Sequence, residues 1–422
     1  MTTLSDPSVS GIDPIRWPDV VRIPHSLKAT AAQRVMRGLF RRAVAGLPIQ
    51  VVMPDGVTLG GGADLAGAPT MTVHNPPALM RRMGTGGLIG FGESYLAREW
   101  DSDDLAGLIA AFAGGVDHLI PASLKTLRSA YLERKPHSDK PSTKNSRSNV
   151  ERHYDLSNDM FATFLDPSMT YSSALIDGPV DAATLEAAQH RKIDRMLDQA
   201  GVVPGSRVLE IGTGWGALAL RAAARGARVD SVTLSKEQLA WAQNAIDDAG
   251  LTNNVDIALR DYRDTAGSYD AVLSVEMIEA VGLEYLDTYF AKISSVLAPG
   301  GKAVIQAITM PHHRVLETKN TYTWIHKYIF PGGALASVQM LRETGARQGL
   351  SLSDDLAMGQ SYAETLRVWA ETFQTQDERL EELGFDETFR RMWSFYLRYS
   401  EGGFRADYLD VHQLTFNKGA CA

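Results

Sequence analysis

The sequence predicts an α/β fold in which helices cover both faces of a doubly wound, mostly parallel β-sheet, with a smaller mixed domain before it. Two observations carry this prediction. Between about residues 149 and 422, short apolar runs typical of buried strands alternate with helical segments. One of these runs leads directly into Gly212-Thr-Gly-Trp-Gly216, a glycine turn typical of a nucleotide-like ligand on such a sheet.

Composition divides the chain into four parts: a flexible arm over 1–25, a mixed N-terminal domain over 26–133, a linker over 134–148 and the sheet domain over 149–422. The linker is rich in Lys, Arg, Ser and Pro and has no periodicity. In the N-terminal domain we expect a helix over Ser26–Gly46, a hairpin over Ile49–Thr58 that turns at Pro54-Asp-Gly56, and a helix over Asp103–Val116.

The first of these helices has an uneven distribution of side chains. We expect Val35, Met36, Leu39 and Phe40 on one side, with basic residues around them. A basic helix with an apolar stripe can dock on anionic lipids, and an ordinary surface helix packed on its domain is an equally good interpretation.

In the sheet domain we expect strands and helices in alternation. The predicted strands are Arg207–Ile211, Arg228–Leu234, Val255–Leu259, Ala271–Val275 and Lys302–Ile308, with Leu350–Ala357 and Leu414–Asn417 as candidates to complete the sheet. The predicted helices are Ala182–Gln199, Ala217–Arg225 and Lys236 to about Ala249.

Bulk properties limit the function classes. The 422 residues are 44% hydrophobic and 22% charged with a net charge of −8, which argues against a general nucleic-acid binder. The one cysteine, Cys421, excludes a disulfide framework within the chain and favours the cytosol. No run of eighteen apolar residues exists, and residues 1–24 lack the apolar core of a signal peptide. We therefore expect a cytoplasmic protein.

The glycine turn indicates the ligand only in part. Glycines let backbone N–H groups approach a ligand closely. The spacing of Gly212, Gly214 and Gly216 does not exclude NAD, and the turn also occurs in unrelated α/β proteins. The acidic Glu210 favours S-adenosylmethionine (SAM), which carries an amino group and a sulfonium. Thr233–Gln238 and Asp261–Asp264 follow the next two strands, where a ribose and an adenine would lie.

Several further motifs resemble the cyclopropane-fatty-acid synthase and mycolic-acid methyltransferase family, which modifies cis double bonds of lipid acyl chains with SAM. The matching stretches are His153–Asp159, Met169–Ser172, Leu209–Gly216, Asp261–Asp264, Tyr328–Gly333 and Gly403–Arg405, with Leu88–Tyr95 and Glu99-Trp100 further upstream. The resemblance implies a class I SAM-dependent methyltransferase sheet. It puts the following residues at SAM-contacting positions: Tyr171, Ser172, Gly212, Gly214, Thr233, Leu234, Gln238 and Tyr262.

The chain departs from this family at the site of its bicarbonate ion, which is taken to be the general base. Among the positions of the five ion ligands, Glu279 and Ile308 are kept, whereas Cys, His and Tyr are replaced by Ser173, Gln306 and Ala370. A family glycine three residues before the retained Glu is Glu276. Bicarbonate binding is therefore left open, and our hypothesis is that the Glu276 side chain replaces the ion.

One branch of the family is especially similar over Ser274–Gly282 and Gln306–Arg314: the actinobacterial methyltransferases of tuberculostearic acid biosynthesis. The resemblance implies conversion of an oleoyl chain on phospholipid to a 10-methylene-stearoyl chain, which a separate flavin-dependent reductase saturates. It also implies a peripheral association with the membrane surface, and we expect a homo-oligomer.

This reaction passes through a cation on the acyl chain that must be shielded from water. Aromatic rings stabilise cations, and the candidates are Tyr322, Trp324, Tyr328, Phe330 and Trp369, each of which is also a plausible core residue. Glu276 and Glu279 would share one face if their segment is helical, and a carboxylate in an apolar pocket is a competent base. The alternative is that Glu276 caps a helix or contacts the charged cofactor. His312 and His313 lack partners at metal-ligand spacing, so we expect no metal.

Three other functions remain open at this point. A true cyclopropane synthase would lose the same proton before any hydride shift. A methyltransferase of a soluble phenol or amine fits the lipid-type motifs poorly. A non-catalytic protein that binds SAM or lipid would explain the altered ion ligands, although the gained Glu276 argues against it.

Overall fold

The computed structural model describes residues 11–62, 65–115 and 157–419. The predicted linker, His153 and Cys421 lie outside these ranges, as does most of the family segment His153–Asp159. The chain forms two compact units. The first contains the described residues up to 115 with Thr321–Ile329 and Asp377–Tyr408, and the second contains residues 157–320 with Phe330–Gln376 and 409–419.

The units therefore differ from the linear partition expected from composition. Two segments expected in the sheet domain, Thr321–Ile329 and Asp377–Tyr408, belong to the first unit. A physical reason is visible at Gly402, where an added Cβ would lie 2.8 Å from the Ile109 Cβ, so that the backbone of the later segment packs directly on an early helix.

Fifteen α-helices are numbered along the described residues. They are α1 Pro18–Val21, α2 Leu27–Val44, α3 Pro76–Leu96, α4 Leu105–Gly114, α5 Asn158–Ala162, α6 Leu185–Ala200, α7 Ala217–Ala224, α8 Lys236–Asp248, α9 Leu286–Val296, α10 His312–Thr318, α11 Trp324–Tyr328, α12 Val338–Arg347, α13 Gly359–Gln374, α14 Asp377–Glu382 and α15 Glu387–Arg405. Short 3₁₀ helices cover Tyr262–Asp264, Ile278–Ala280 and Leu283–Tyr285.

The strands are β1 Gln50–Val52, β2 Thr58–Leu59, β3 Thr70–Val73, β4 Trp100–Ser102, β5 Arg207–Ile211, β6 Arg228–Thr233, β7 Val255–Leu259, β8 Tyr269–Val275, β9 Leu297–Thr309, β10 Leu350–Ala357 and β11 Asp410–Lys418. Every strand predicted in the sheet domain is present, and β9 and β11 are longer than predicted. The predicted hairpin is the antiparallel pair β1–β2.

The first unit combines a small sheet, in the order β2-β1-β3-β4, with helices. Helix α2 begins at Leu27 because the Ser26 hydroxyl caps the Ala29 N–H. Its inner face is formed by Ala29, Phe40 and Val44. The expectation that Val35 shares a side with Phe40 is wrong, because the two positions are far apart around the helix and Val35 is 63% exposed.

Two of the family-like segments meet inside the first unit. The carboxylate of Glu93, in α3, accepts hydrogen bonds from the Lys327 Nζ at 2.6 Å and the Tyr328 Oη at 2.9 Å. The Trp324 ring lies against Gly92, where an added Cβ would be 2.4 Å from the ring. Glycine at that position lets the indole pack directly on the α3 backbone, so α11 is fixed to α3 by both packing and charge.

The second unit is built on a seven-stranded sheet in the order β10-β11-β9-β8-β5-β6-β7, in which β11 runs antiparallel to both neighbours. One apolar layer includes Leu218 and Ile246, from α7 and α8, with the strand residue Val208. The other includes Phe290 and Leu341, from α9 and α12. Helices thus cover both faces, which confirms the predicted doubly wound α/β fold. No helix of the described residues is long and apolar enough to cross a membrane.

Candidate active site

The glycine turn after β5 has a backbone that few other residues adopt. Gly212, Gly214 and Gly216 have φ angles of 96°, 53° and 98°, all in the left-handed region. An added Cβ on Gly216 would lie 3.0 Å from the Ala242 Cβ, so this glycine lets α7 begin against α8. An added Cβ on Gly214 would meet nothing within 4 Å. The space beside the Gly214 backbone, in the middle of the turn, is therefore open.

The predicted acid Glu210 is buried within β5. Its Oε2 accepts a hydrogen bond from the Ser231 Oγ at 2.5 Å, and Ser231 in turn contacts the Thr213 hydroxyl at 2.7 Å. Burial raises the pKa of Glu210 to about 8, with the Ser231 hydrogen bond opposing it. A cationic ligand at the strand end would favour the ionised form of this carboxyl, and the amino group and sulfonium of SAM are such cations. The buried Glu210 carboxyl at this strand end therefore fits a cofactor with the positive charges of SAM.

The ends of β6 and β7 carry the other predicted cofactor residues. The Thr233 hydroxyl donates to the Gln238 Oε1 at 3.1 Å, and both side chains are buried, while Leu234 is half-buried. After β7, the Tyr262 ring is half-buried and packs edge-on against Tyr289 with ring centres 5.4 Å apart. The structure thus brings these residues to the carboxyl ends of neighbouring strands, the edge where such sheets bind ligands.

The segment before α6 contributes Tyr171, Ser172 and Ser173. The Tyr171 ring stacks on the buried Trp369 ring with centres 5.4 Å apart. The Ser172 hydroxyl accepts a hydrogen bond from the Lys192 Nζ at 2.6 Å. The next residue, Ser173, turns its backbone N–H towards the Glu276 Oε1 at 2.9 Å. Two adjacent residues therefore bind groups of opposite charge: Ser172 binds the Lys192 ammonium, and Ser173 binds the Glu276 carboxylate.

Glu276 follows β8 in a left-handed conformation, with φ of 47°. Such a conformation costs a non-glycine residue about 1–2 kcal/mol, and the resemblance puts a glycine here. The expectation of one helical face is wrong, because the 3₁₀ helix begins only at Ile278. The left-handed residue is instead what aims the carboxylate back at β9.

The Glu276 carboxylate accepts three hydrogen bonds: from the Ser173 N–H, from the Gln306 Nε2 at 2.8 Å and, on its other oxygen, from the Tyr362 Oη at 2.7 Å. The resemblance puts two of these donors, Ser173 and Gln306, at positions where the family binds its ion. We call Glu276, Glu279, Gln306 and Tyr362 the carboxylate cluster.

Gln306 is oriented by a second amide. Its Oε1 accepts a hydrogen bond from the Gln413 Nε2 at 3.0 Å, so its own Nε2 is left to donate to Glu276 and to the Ser173 carbonyl. Gln306 and Gln413 are fully buried neighbours on β9 and β11. The hydrogen bond between the two amides therefore orients the Gln306 Nε2 on β9 so that it donates to the Glu276 carboxylate.

Glu279 is held differently. One oxygen accepts from the Ile308 N–H at 2.5 Å, and the buried Oε2 has no hydrogen-bond partner among the described residues. Burial, and then the charge of Glu276, raise the pKa of Glu279 to about 8. Burial also raises the pKa of Glu276, while Lys192 and the three hydrogen bonds act to lower it. Two neighbouring carboxyls thus differ in how well their ionised forms are stabilised.

Sequence reasoning missed three contributors to this cluster: Tyr362, Lys192 and Gln413. Ala370, which the resemblance puts at the position of the family tyrosine, is fully buried in α13, and the phenol that reaches Glu276 comes from Tyr362 on the same helix, two turns earlier. Lys192 lies on α6, whose apolar face predicted a core helix and gave no signal of a buried cation.

The candidate aromatic residues belong to different units. Tyr322, Trp324 and Tyr328 are in the first unit, and Phe330 and Trp369 are in the second. Trp324 packs against Phe395 at 4.7 Å and against Tyr328 at 5.2 Å, so it serves the core of its own unit. Trp369 contacts Tyr171 and the edge of Tyr362. Among the described residues, no group of His, Cys, Asp and Glu side chains has the arrangement of a metal site.

The strand order with one antiparallel strand, the glycine turn and the polar groups at three strand ends define a class I SAM-dependent methyltransferase. Residues 141–414 match the sequence model of the mycolic acid cyclopropane synthetase family. The chain belongs to this family.

Similar proteins agree with this assignment. The tuberculostearic acid methyltransferase UfaA1 of Mycobacterium tuberculosis is 51% identical over 98% of this chain and 97% of its own length. The cyclopropane-fatty-acyl-phospholipid synthase of Escherichia coli strain K12 is 34% identical over 86% of this chain and 91% of its own.

Solved structures are similar to about two thirds of the chain. The cyclopropane synthase MmaA2 of Mycobacterium tuberculosis has a TM-score of 0.60 and 32% identity, covering 67% of this chain and 99% of its own. The mycolic acid cyclopropane synthase CmaA1, complexed with SAH and CTAB, has a TM-score of 0.59 and 30% identity, covering 67% of this chain and 99% of its own.

Proposed function

We propose that this chain is a SAM-dependent C-methyltransferase acting on the cis double bond of unsaturated phospholipid acyl chains, such as oleoyl, to give a 10-methylene acyl product. This product is a step towards 10-methyl-branched, tuberculostearic acid. The observation that carries the proposal is the Glu276 carboxylate, held by Ser173, Gln306 and Tyr362 after the strand next to the glycine turn. The 51% identity with a tuberculostearic acid methyltransferase supports it.

Glu276 is the general base in this proposal. The glycine turn, with Glu210, Thr233 and Gln238 nearby, would hold SAM, which would supply a methyl group activated by its sulfonium. Once this methyl has joined the acyl chain, a hydride shift leaves the cation on the methyl-bearing carbon. A proton of the methyl passes to a Glu276 oxygen, and the electrons of the broken C–H bond form the exocyclic C=C bond. Water must be kept from this cation, because it would otherwise capture it.

Glu276 suits this role because its position is fixed before the reaction. Three hydrogen bonds orient the carboxylate, so no reorganisation is needed when the proton arrives. Burial raises its pKa, which strengthens it as a base compared with an exposed carboxylate. Glu279 holds the β9 backbone at Ile308, and because its pKa is raised to about 8 it is mainly protonated at neutral pH and leaves the negative charge to Glu276.

A cyclopropane synthase is the competing function, because the same base would close the ring if it acted before the hydride shift. The 34% identity with a cyclopropane-fatty-acyl-phospholipid synthase supports this second function, so the test below must distinguish the two products. The methylene product, in contrast, needs a separate flavin-dependent reductase to become saturated, and we propose such a partner.

We also propose that the first unit meets the lipid surface through the outer face of α2. Leu27 and Val35 are 92% and 63% exposed, and Lys28, Arg34 and Arg41 are exposed around them. Exposed apolar side chains flanked by cations favour anionic headgroups. We expect sedimentation with vesicles that contain anionic phospholipid to weaken markedly in the Arg34→Glu/Arg41→Glu variant. Equal binding of both proteins would contradict this proposal.

A fatty-acid profile tests the reaction. The chain is expressed in a bacterium that contains oleoyl phospholipid and lacks its own cyclopropane synthase, and its fatty acids are analysed by mass spectrometry. We expect a new acid that has gained one CH₂ and takes up hydrogen on reduction. A product that resists hydrogenation as a cyclopropane would return the chain to the synthase reaction.

Variants test the base. Glu276→Gln keeps the shape of the side chain and removes the base, so we expect a loss of product of at least about a hundredfold. Glu284→Gln is a matched control, since this exposed glutamate lies in the next 3₁₀ helix. Full activity of Glu276→Gln, with normal activity of the control, would refute the assignment. No new lipid from the parent chain would refute the proposed reaction.

A further inference from the structure

Lys192 is a fully buried cation that the proposed reaction does not use. It lies on α6 with 1% of its surface exposed, and the Ser172 hydroxyl is its hydrogen-bond partner. A buried ammonium is costly unless negative groups compensate its charge. Burial lowers the pKa of Lys192 to about 8, whereas Glu276 and then Asp166 act to raise it. At neutral pH the group is therefore still mainly an ammonium.

The contacts of α6 connect this cation to the base. Gln189, one turn before Lys192, donates from its Nε2 to the Ser172 carbonyl at 2.8 Å and to the Thr170 carbonyl at 3.3 Å. Lys192 donates to the Ser172 hydroxyl. The residue after Ser172 provides the backbone N–H that binds Glu276. The same helix thus fixes the segment that orients the carboxylate and supplies the positive charge that stabilises it.

We propose that Lys192 is a positioning residue of the reaction: its ammonium keeps the Glu276 carboxylate ionised between turnovers and holds the Ser172–Ser173 segment in place. This inference rests on the proposed role of Glu276 as base. It goes beyond that role because it assigns the electrostatic partner that makes a buried glutamate available as an anion.

Asp166 completes the charge balance. Its side chain is buried, one oxygen accepts from the Ser168 N–H and hydroxyl, and the other, Oδ1, has no hydrogen-bond partner among the described residues. Its pKa is raised by burial and lowered in part by Lys192, with Glu186 adding repulsion. Asp166 is therefore a second carboxyl, besides Glu276, whose charge acts on the ammonium.

Two sets of groups determine the pH behaviour of this arrangement. Glu276 and Asp166 act directly on Lys192. Lys192, Gln306, Ser173 and Tyr362 lower the pKa of Glu276, and Glu276 in turn raises the pKa of the neighbouring Glu279. Without the ammonium, Glu276 would face Glu279 with only neutral hydrogen-bond donors to stabilise its charge. Its pKa would then rise, and more of the enzyme would carry a protonated, inactive base.

The pH profile of turnover tests this prediction. We expect Lys192→Met to move the acid limb of the profile for kcat upwards by about one pH unit, so that activity at low pH falls more than activity at high pH. Lys192→Gln keeps a donor for the Ser172 hydroxyl and removes the charge, and we expect the same shift from it. An unchanged acid limb in both variants would overturn the proposal.

A double-mutant cycle, read as thermal unfolding of the full chain, tests the charge pairing without any turnover. Lys192→Met leaves Glu276 buried without its cation, so the double variant Lys192→Met/Glu276→Gln should unfold at a higher temperature than Lys192→Met alone. The matched control is Lys302→Met, since Lys302 is a lysine of the same unit that donates only to the Gln199 carbonyl among the described residues. Its effect and that of Glu276→Gln should simply add.

Additive effects for Lys192 and Glu276 as well would overturn the pairing. Because the cycle needs no product, this result is distinguishable from failure of the proposed function. That failure would appear as an absence of new lipid from the parent chain while the two side chains remain coupled in the cycle.

Discussion

The glycine turn after β5 and the carboxylate cluster after β8 follow neighbouring strands, yet they are built in opposite ways. The turn is formed by backbone, and its three glycines act through the conformations they permit. The cluster is formed by side chains that come from the residues after β8, from β9 and from α13 and that satisfy one another. A backbone site depends on local sequence, whereas a side-chain site depends on residues far apart in the chain.

The largest effect should come from Glu276→Gly, which puts the family residue back into the cluster. The change relieves the left-handed strain and removes the carboxylate, leaving the donors of Ser173, Gln306 and Tyr362 around a space that can admit an anion. We expect turnover to fall by at least about a hundredfold, and added bicarbonate to restore part of it.

Chloride at equal ionic strength is the control for this rescue, since it carries charge and is a very weak base. Equal effects of the two salts would mean that the space does not act as a base site. The function of the cluster would then not depend on a carboxylate at this position.

A smaller effect is expected at the glycine turn, where two positions separate binding from stability. Gly216→Ala combines strain with a close approach to Ala242, so we expect a loss of about 1–3 kcal/mol in stability. The added Cβ of Gly214→Ala would contact no other atom of the chain, so this variant should lose only about 1 kcal/mol of stability. The same methyl group would enter the space proposed for SAM, so we expect SAM binding to weaken about tenfold.

Calorimetric titration with SAM and thermal unfolding measure the two quantities. Gly205→Ala, at φ of 88° in an exposed turn with nothing within 4 Å, controls for strain alone. If Gly214→Ala binds SAM as tightly as this control, the open space at the turn is not the cofactor site.

The smallest effect is a pH dependence of stability in the cluster. The folded-state pKa of Glu279 is raised to about 8, above its ordinary 4.5. A raised carboxyl pKa means that the folded state holds its proton more tightly, so stability is greatest below the unfolded-state pKa and declines as pH rises towards 8. We expect Glu279→Gln to flatten this decline between pH 5 and pH 8.

Thermal unfolding across this pH range measures the decline, with the exposed Glu284→Gln as control. Glu210 has the same raised pKa at the glycine turn, and its contribution should disappear when SAM is bound. An identical pH dependence in the parent chain and Glu279→Gln would mean that Glu279 is not protonated in the folded protein.

The backbone site was accessible to sequence reasoning because its signals are contiguous. Strand β5, the glycines and α7 follow one another, and each strand that was predicted has a local pattern of apolar residues. The long helix α3 was not predicted: it contains five glycines and is kinked at Gly87, which weakens the helical pattern. Helix α2 was predicted with a wrong orientation for Val35, because its apolar side chains extend around most of its circumference.

The side-chain site was accessible only in part. Glu276 and Glu279 could be predicted because the resemblance aligned them with an ion site. The resemblance puts a tyrosine where this chain has Ala370, and nothing in the local sequence indicates that the hydroxyl of Tyr362, two turns earlier on α13, reaches Glu276. Lys192 has apolar neighbours on α6, so its pattern is that of a core helix, and only the folded arrangement reveals the carboxylates around it.

The left-handed backbone at Glu276 has a consequence for how the base of the reaction is supplied. A base that is a dissolved ion must be delivered by the cell, binds in proportion to its concentration and can be displaced by other anions. A carboxylate attached to the chain stays at a high and constant effective concentration, at the permanent expense of local strain. In our proposal this enzyme would therefore work at the same rate whether carbon dioxide is scarce or abundant around the cell.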